Sequence, residues 1–165
     1  MKSLLALLIF AVPLTAMAAA TPDAAFYKKA AEAGMYEIDA GKQAQEKGTS
    51  QAVKDFGAMM VKDHTAAADK LQALAASKNI SLPTSASVGE MASEAKLDVL
   101  SGDTYDKAYI KSQIKAHRGA VALFKKEIST GQDADAKAFA TATLPTLKMH
   151  LRKINGIAAA AGVTA

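Results

Sequence analysis

Residues 51–78 read QAVKDFGAMMVKDHTAAADKLQALAASK, and the spacing of their apolar side chains decides the fold. Val53, Gly57, Met60, His64, Ala67, Leu71 and Leu74 recur at steps of three and four, the period that places side chains on one face of an α-helix. Lys54, Asp55, Lys62, Asp69 and Lys70 fall between them and read as the solvated side. Ser50 supplies an N-cap and Asn79 a stop, so the stretch predicts a helix over 51–78. The period-two alternation of a β-strand occurs neither here nor elsewhere in the chain.

The same pattern appears three more times. A first helix is expected over about 24–47, opened by Thr21-Pro22-Asp23 and stopped near Gly48, with Phe26, Ala30, Ala33, Glu37, Ala40 and Ala44 inward. A third is expected over about 104–130, ended by Gly131, with Ile110, Ile114, His117, Val121, Phe124 and Ile128 inward. The fourth, about 134–160, is capped by Asp133 and followed by Gly162; Ala136, Ala140, Thr143, Leu147, His150, Ile154 and Ile157 form its stripe. Pro145 lies inside it, where a kink is expected. Residues 80–103, with Pro83 and a Ser/Thr cluster, connect the second helix to the third. Within them EMASEAKLDVL, residues 90–100, predicts a short helix ended by Ser101-Gly102. Four amphipathic helices of similar length with one long connection in the middle describe an all-α four-helix bundle, its central crossover carrying a short extra helix.

Half of the 165 residues are apolar, yet 5% are aromatic and none is Trp. Alanine makes up much of the apolar content, so the helices must approach closely. The 20 Lys and Arg are interspersed with 16 Asp and Glu, giving a formal net charge of +4. No basic stripe with interleaved aromatics exists, which argues against nucleic-acid binding. The absence of cysteine excludes disulfides, thiolate metal sites, a cysteine nucleophile and a lipid-bearing cysteine.

The first 20 residues, MKSLLALLIFAVPLTAMAAA, carry a positive start at Lys2, an apolar run from Leu4 to Leu14, and the small-x-small signal Ala16-Met17-Ala18. The run is too short to span a bilayer, which takes about 20 residues. Residues 1–18 are therefore expected to be a secretory signal peptide, with cleavage as late as residue 20, leaving 19–165 as one domain. No later segment is apolar enough to span. The expected location is the periplasm or the medium.

All three histidines fall on inward stripes, one on each of the last three long helices, and Glu37 falls on that of the first. Each lies near the middle of its helix, so at 1.5 Å per residue all four share roughly one level. Two readings follow. Glu37, His64, His117 and His150 are a candidate four-ligand set for one Zn, Cu, Fe or Ni ion. Alternatively, they form a buried polar network in which the carboxylate and water satisfy the imidazoles. A dinuclear carboxylate centre requires Glu-x-x-His pairs, but Val61, Ile114 and Leu147 stand three residues before the histidines. Met60, one turn before His64, and Met149, beside His150, read as fillers of an alanine-rich core rather than thioether ligands. Gly-rich phosphate loops, G-x-S-x-G and H-E-x-x-H are absent. Asp63 and His64, as helix neighbours, point about 100° apart and are not a catalytic pair.

Three segments, GMYEIDAGKQAQEKGTSQAVKDFGAMMVKDHTAAADKLQALA, GDTYDKAYIKSQIKAH and ATLPTLKMHL, resemble the exported bacterial family catalogued as domain of unknown function 4142. The resemblance runs from about Asp23 to Ala158, and its most specific motifs are VKDHT, holding His64, and TLPTLKMHL, holding His150. It implies a ferritin-like four-helix bundle in the periplasm or at the outer membrane, and envelope association of the mature chain. Glu37, His64, His117 and His150 match positions that recur in the family's motifs. Two functions compete: a periplasmic metal-binding or metal-sensing bundle, and a non-enzymatic envelope-stress or interaction protein whose polar core only fixes register. An enzyme ranks behind both. The sequence identifies neither a partner nor an oligomeric state.

Overall fold

The computed structural model describes residues 23–164. The expected signal peptide lies outside them. Among the described residues there are four long helices and one short one, and no strand: α1 (Ala24–Lys47), α2 (Gln51–Ser77), α3 (Val88–Asp98), α4 (Gly102–Thr130) and α5 (Ala134–Ala160). α1 packs chiefly on α2 and α4 chiefly on α5. Each pair is an antiparallel hairpin closed by a three-residue loop. α3 lies on the crossover and contacts α1 and α4.

α1 and α5 span the expected residues, and the other boundaries differ from the sequence expectation by one or two residues, for identifiable reasons. α3 starts at Val88 rather than residue 90 because Ser87 and Glu90 form a reciprocal capping box. α4 starts at Gly102 rather than residue 104 because the Tyr105 N–H already donates to the Ser101 carbonyl oxygen at 3.2 Å, and glycine accepts the φ of 60° found at that first position. α2 closes at Ser77, one residue early, and Asn79 follows in the left-handed region at φ 55°. α5 continues through the exposed Pro145 to Ala160.

Glycine sets the spacing of the first hairpin. A Cβ added to Gly57 would lie 2.6 Å from the Gly41 carbonyl oxygen and 2.9 Å from the Ala44 Cβ. α1 and α2 therefore cross where neither has a side chain.

Each hairpin loop is fastened by a carboxylate of the other hairpin. The Thr49 and Ser50 N–H groups donate to the two oxygens of buried Asp106 on α4, at 2.9 and 2.8 Å. The Gln132 and Asp133 N–H groups donate to Asp23 Oδ2, just before α1, at 2.7 and 2.6 Å. Asp133 caps α5, accepts a bond from the Tyr27 hydroxyl at 2.9 Å and pairs with Lys78 at 3.0 Å. These contacts satisfy helix-end donors that have no partner within their own helix, and they fix the longitudinal register of the hairpins.

Two apolar clusters form the core. One gathers Ala40, Phe56, Met60, Tyr109, Ile114 and Ile154, the other Phe26, Ala30, Leu71, Phe124, Ala140 and Leu147. On each long helix the polar residue lies between a member of one cluster and a member of the other: Glu37 between Ala30 and Ala40, His64 between Met60 and Leu71, His117 between Ile114 and Phe124, and His150 between Leu147 and Ile154. A polar layer thus separates two apolar halves.

Candidate metal centre

His64, His117 and His150 are all buried, the last two almost completely. Their ring centroids stand 5.8 Å (His64–His117), 5.4 Å (His64–His150) and 5.3 Å (His117–His150) apart. Phe56 presents ring contacts to His117 and His150 at 6.1 and 6.4 Å, closing the layer on one side. Each ring offers one nitrogen to a group whose members lie within 4.8 Å of one another.

The outer partners decide which nitrogens are available. His150 Nε2 lies 2.9 Å from Asp63 Oδ2 on α2, and His117 Nδ1 lies 3.0 Å from the Gln113 carbonyl oxygen one turn earlier. Each partner is an acceptor, so these nitrogens carry the hydrogens. His150 Nδ1 and His117 Nε2 are left with lone pairs, and among the described residues both are buried without a partner, as is His64 Nε2. Buried polar atoms in folded proteins are nearly always paired. Three unpaired imidazole nitrogens in one layer are therefore a strong chemical signal.

Glu37 does not belong to the group of mutually close ligand atoms. Its Oε1 lies 3.6 Å from His117 Nδ1, the nitrogen already bonded to Gln113. The carboxyl therefore sits behind His117 with respect to that ring's free nitrogen, and its Oε2 has no partner. Gln113, with both amide atoms unpaired, and the Tyr109 hydroxyl are further buried polar groups without partners. Met60 packs in the apolar cluster with Phe56 and Ile154, as a core residue does.

Burial sets the protonation of the layer. Loss of solvent pushes the His64 imidazole down to about 3, with His117 and His150 adding to the effect. It pushes His117 down to about 4 against the opposing Gln113 carbonyl bond. His150 is lowered too, again by burial, with Asp63 pulling the other way. Glu37 is pushed up to about 8 by burial, partly offset by the neighbouring Gln113 side chain. At neutral pH the layer therefore holds three neutral imidazoles and an un-ionised carboxyl. Neutral imidazole is the form a metal ion requires.

Asp63 is the residue that sequence reasoning set aside. It points away from its neighbour His64 and bonds His150 across the α2–α5 interface. Its place next to a stripe residue, on the flank turned toward α5, was the available signal.

A family model described as "Domain of unknown function (DUF4142)" matches residues 11–157. Among solved structures, a DUF305 fragment from Deinococcus radiodurans superposes with a TM-score of 0.74 at 14% identity, covering 84% of this chain and 96% of that one. A DUF305 protein from Streptomyces coelicolor gives 0.72 at 15% identity, covering 86% and 94%. Identities this low carry the fold alone, a DUF305-like helical bundle. No curated protein matches the chain significantly.

Proposed function

The chain belongs to the DUF4142 family, and from that premise we propose that it is an exported protein whose histidine layer binds one transition-metal ion. The observation that carries this reading is the set of three buried, unpartnered nitrogens, His64 Nε2, His117 Nε2 and His150 Nδ1. In a purely structural network His117 Nε2 and His150 Nδ1 would present two lone pairs, and a hydrogen on His64 Nε2 could satisfy one of them and leave the other bare. A cation satisfies all three at once.

The donor set suits the ion. Imidazoles without thiolates favour Zn, Cu or Fe. A tetrahedral ion holds its nitrogens ~2.0–2.1 Å away and about 3.4 Å from one another. The present 4.8 Å limit closes to that by rotation of the rings. The groups behind the ligands fit as well. Asp63 on His150, and Gln113 with Glu37 on His117, reproduce the acceptor-behind-imidazole arrangement that orients metal-binding histidines. Glu37 is thus assigned to the outer shell rather than to the fourth ligand position that the sequence suggested. Three ligands leave one coordination position open.

Residues 1–18 serve as the signal peptide in this reading, on the strength of Lys2, the apolar run and Ala16-Met17-Ala18. Two hairpins joined by one long crossover support a ferritin-like arrangement. The metal reading is tested by thermal unfolding with added Zn or Cu. A ligand bound only by the folded state raises the melting temperature, and His64→Ala, His117→Ala and His150→Ala should each abolish the rise. A melting temperature unmoved by Zn, Cu and Fe would leave the structural polar core standing in its place.

A further inference from the structure

A cavity of about 750 Å³ opens between α1 and α4 and reaches the polar layer. That volume falls within the range of about 300–1,000 Å³ typical of small-molecule sites. Small residues make the space: Ala33, Gly34, Ala67, Ala116, Gly119 and Ala120 line it. A Cβ built on Gly34 or on Gly119 would meet nothing within 4 Å. Glycine weakens a helix interior, and no close packing demands it at either position, unlike Gly41 and Gly57. The lining on α1 runs from Lys29 to Glu37 and on α2 from His64 to Gln72. Since these helices are antiparallel, Glu37 and His64 share one end of a cleft roughly 12 Å long. That end holds Glu37 Oε2, buried without a partner among the described residues, and His64, whose Nε2 is one of the three nitrogens offered to the ion. Leu71, Phe124 and Leu147 furnish larger apolar walls.

We propose that this cleft binds a medium-chain monocarboxylate, its acyl chain lying between the two hairpins and its head group at the His64 end, in the open coordination position of the metal ion. The inference rests on the metal reading above. The apolar body follows from the lining. The anionic head follows from His64, the ligand that lines the cleft: imidazole is an uncharged ligand, so an ion held by three of them keeps its charge uncompensated in a buried site, where an unpaired charge is costly. Lys29 and Lys115 stand on the lining with Glu32 and Glu90, so the charged side chains there select no sign and the selection falls to the ion.

The test is a fluorescence titration of the metal-free and the zinc-loaded full-length mature chain with dansyl-undecanoate. The probe should brighten and shift to the blue, decanoate should displace it, and zinc should tighten binding by about tenfold or more, a coordination bond gained at the head. Gly119→Leu and, independently, Gly34→Leu should fill the cleft and weaken binding by about tenfold or more while the zinc-induced rise in melting temperature persists. A dim probe in both forms, equal affinity with and without zinc, or folded glycine variants that bind like the wild type would each overturn the proposal. A chain that sediments as a dimer and leaves the probe in water would assign the cleft to a second copy instead. The metal reading is judged separately, by the zinc shift without probe: a shift with no probe binding removes the acyl site alone, and no shift removes both.

Discussion

Acidifying the metal-free protein sets the histidine layer against Glu37, and the outcome has a definite sign. His64 and His117, lowered from 6.5 to about 3 and about 4, stay neutral in the fold while the unfolded chain takes up protons. Their contribution is present above the unfolded value of 6.5 and is lost as pH falls toward the folded values. Between about pH 7 and about pH 5 each costs about 2 kcal/mol of stability by linkage. His150 acts in the same direction. Glu37, raised from 4.5 to about 8, does the opposite. Its contribution is present at low pH and lost as pH rises through 8, so the same acidification stabilises the fold by roughly 2 kcal/mol. The wild type should therefore lose only about 1–3 kcal/mol over this interval, and Glu37→Gln about 4 kcal/mol or more. Urea unfolding followed by circular dichroism at a series of pH values measures both slopes. Parallel profiles for the wild type and Glu37→Gln would refute the claim that Glu37 is buried un-ionised beside neutral imidazoles.

Three further outcomes follow from the same geometry. Leu71→Ala should destabilise by about 2–5 kcal/mol, because Leu71 is 2% exposed at the heart of one apolar cluster; a change near zero in chemical denaturation would show that α2 buries another face. Asp106→Ala removes the acceptor of two loop N–H groups and should cost about 2–4 kcal/mol, with Asp106→Asn costing less, as calorimetric melting would register. Asp63→Ala should leave helix content intact yet weaken zinc affinity by about 10- to 100-fold in a competition titration, since it releases the ring of His150; unchanged affinity would deny Asp63 its orienting role.

Much of this architecture is legible in the sequence because the helices are long and amphipathic. Every position assigned inward on α2, from Val53 to Leu74, is buried or half-buried. The same holds for the stripes of α1, α4 and α5. The half-buried members Ala33, Ala67 and Thr143 line the cleft, so a stripe read as packing is in part the wall of a cavity. A one-dimensional period cannot separate the two. Tyr27, Phe56, Tyr105 and Tyr109 are fully buried although none lies on a predicted stripe, because large side chains flanking a stripe reach the core that the small alanines leave unfilled. The three histidines were legible from stripe and level together. The placement of Glu37 behind His117 was not, since level along the bundle does not fix which ring a side chain faces. Asp63 was missed for the complementary reason: its partner is distant in sequence and on another helix.

The central claim is that three imidazoles, and not Glu37, hold one metal ion. X-ray absorption spectroscopy of the zinc-loaded protein tests it most directly. The predicted result is one zinc per chain with three imidazole nitrogens ~2.0–2.1 Å from the ion and a single light exogenous donor, unchanged in Glu37→Gln and lost in His117→Ala. A first shell dominated by oxygen, a count of imidazoles below three, or a spectrum altered in Glu37→Gln would contradict it.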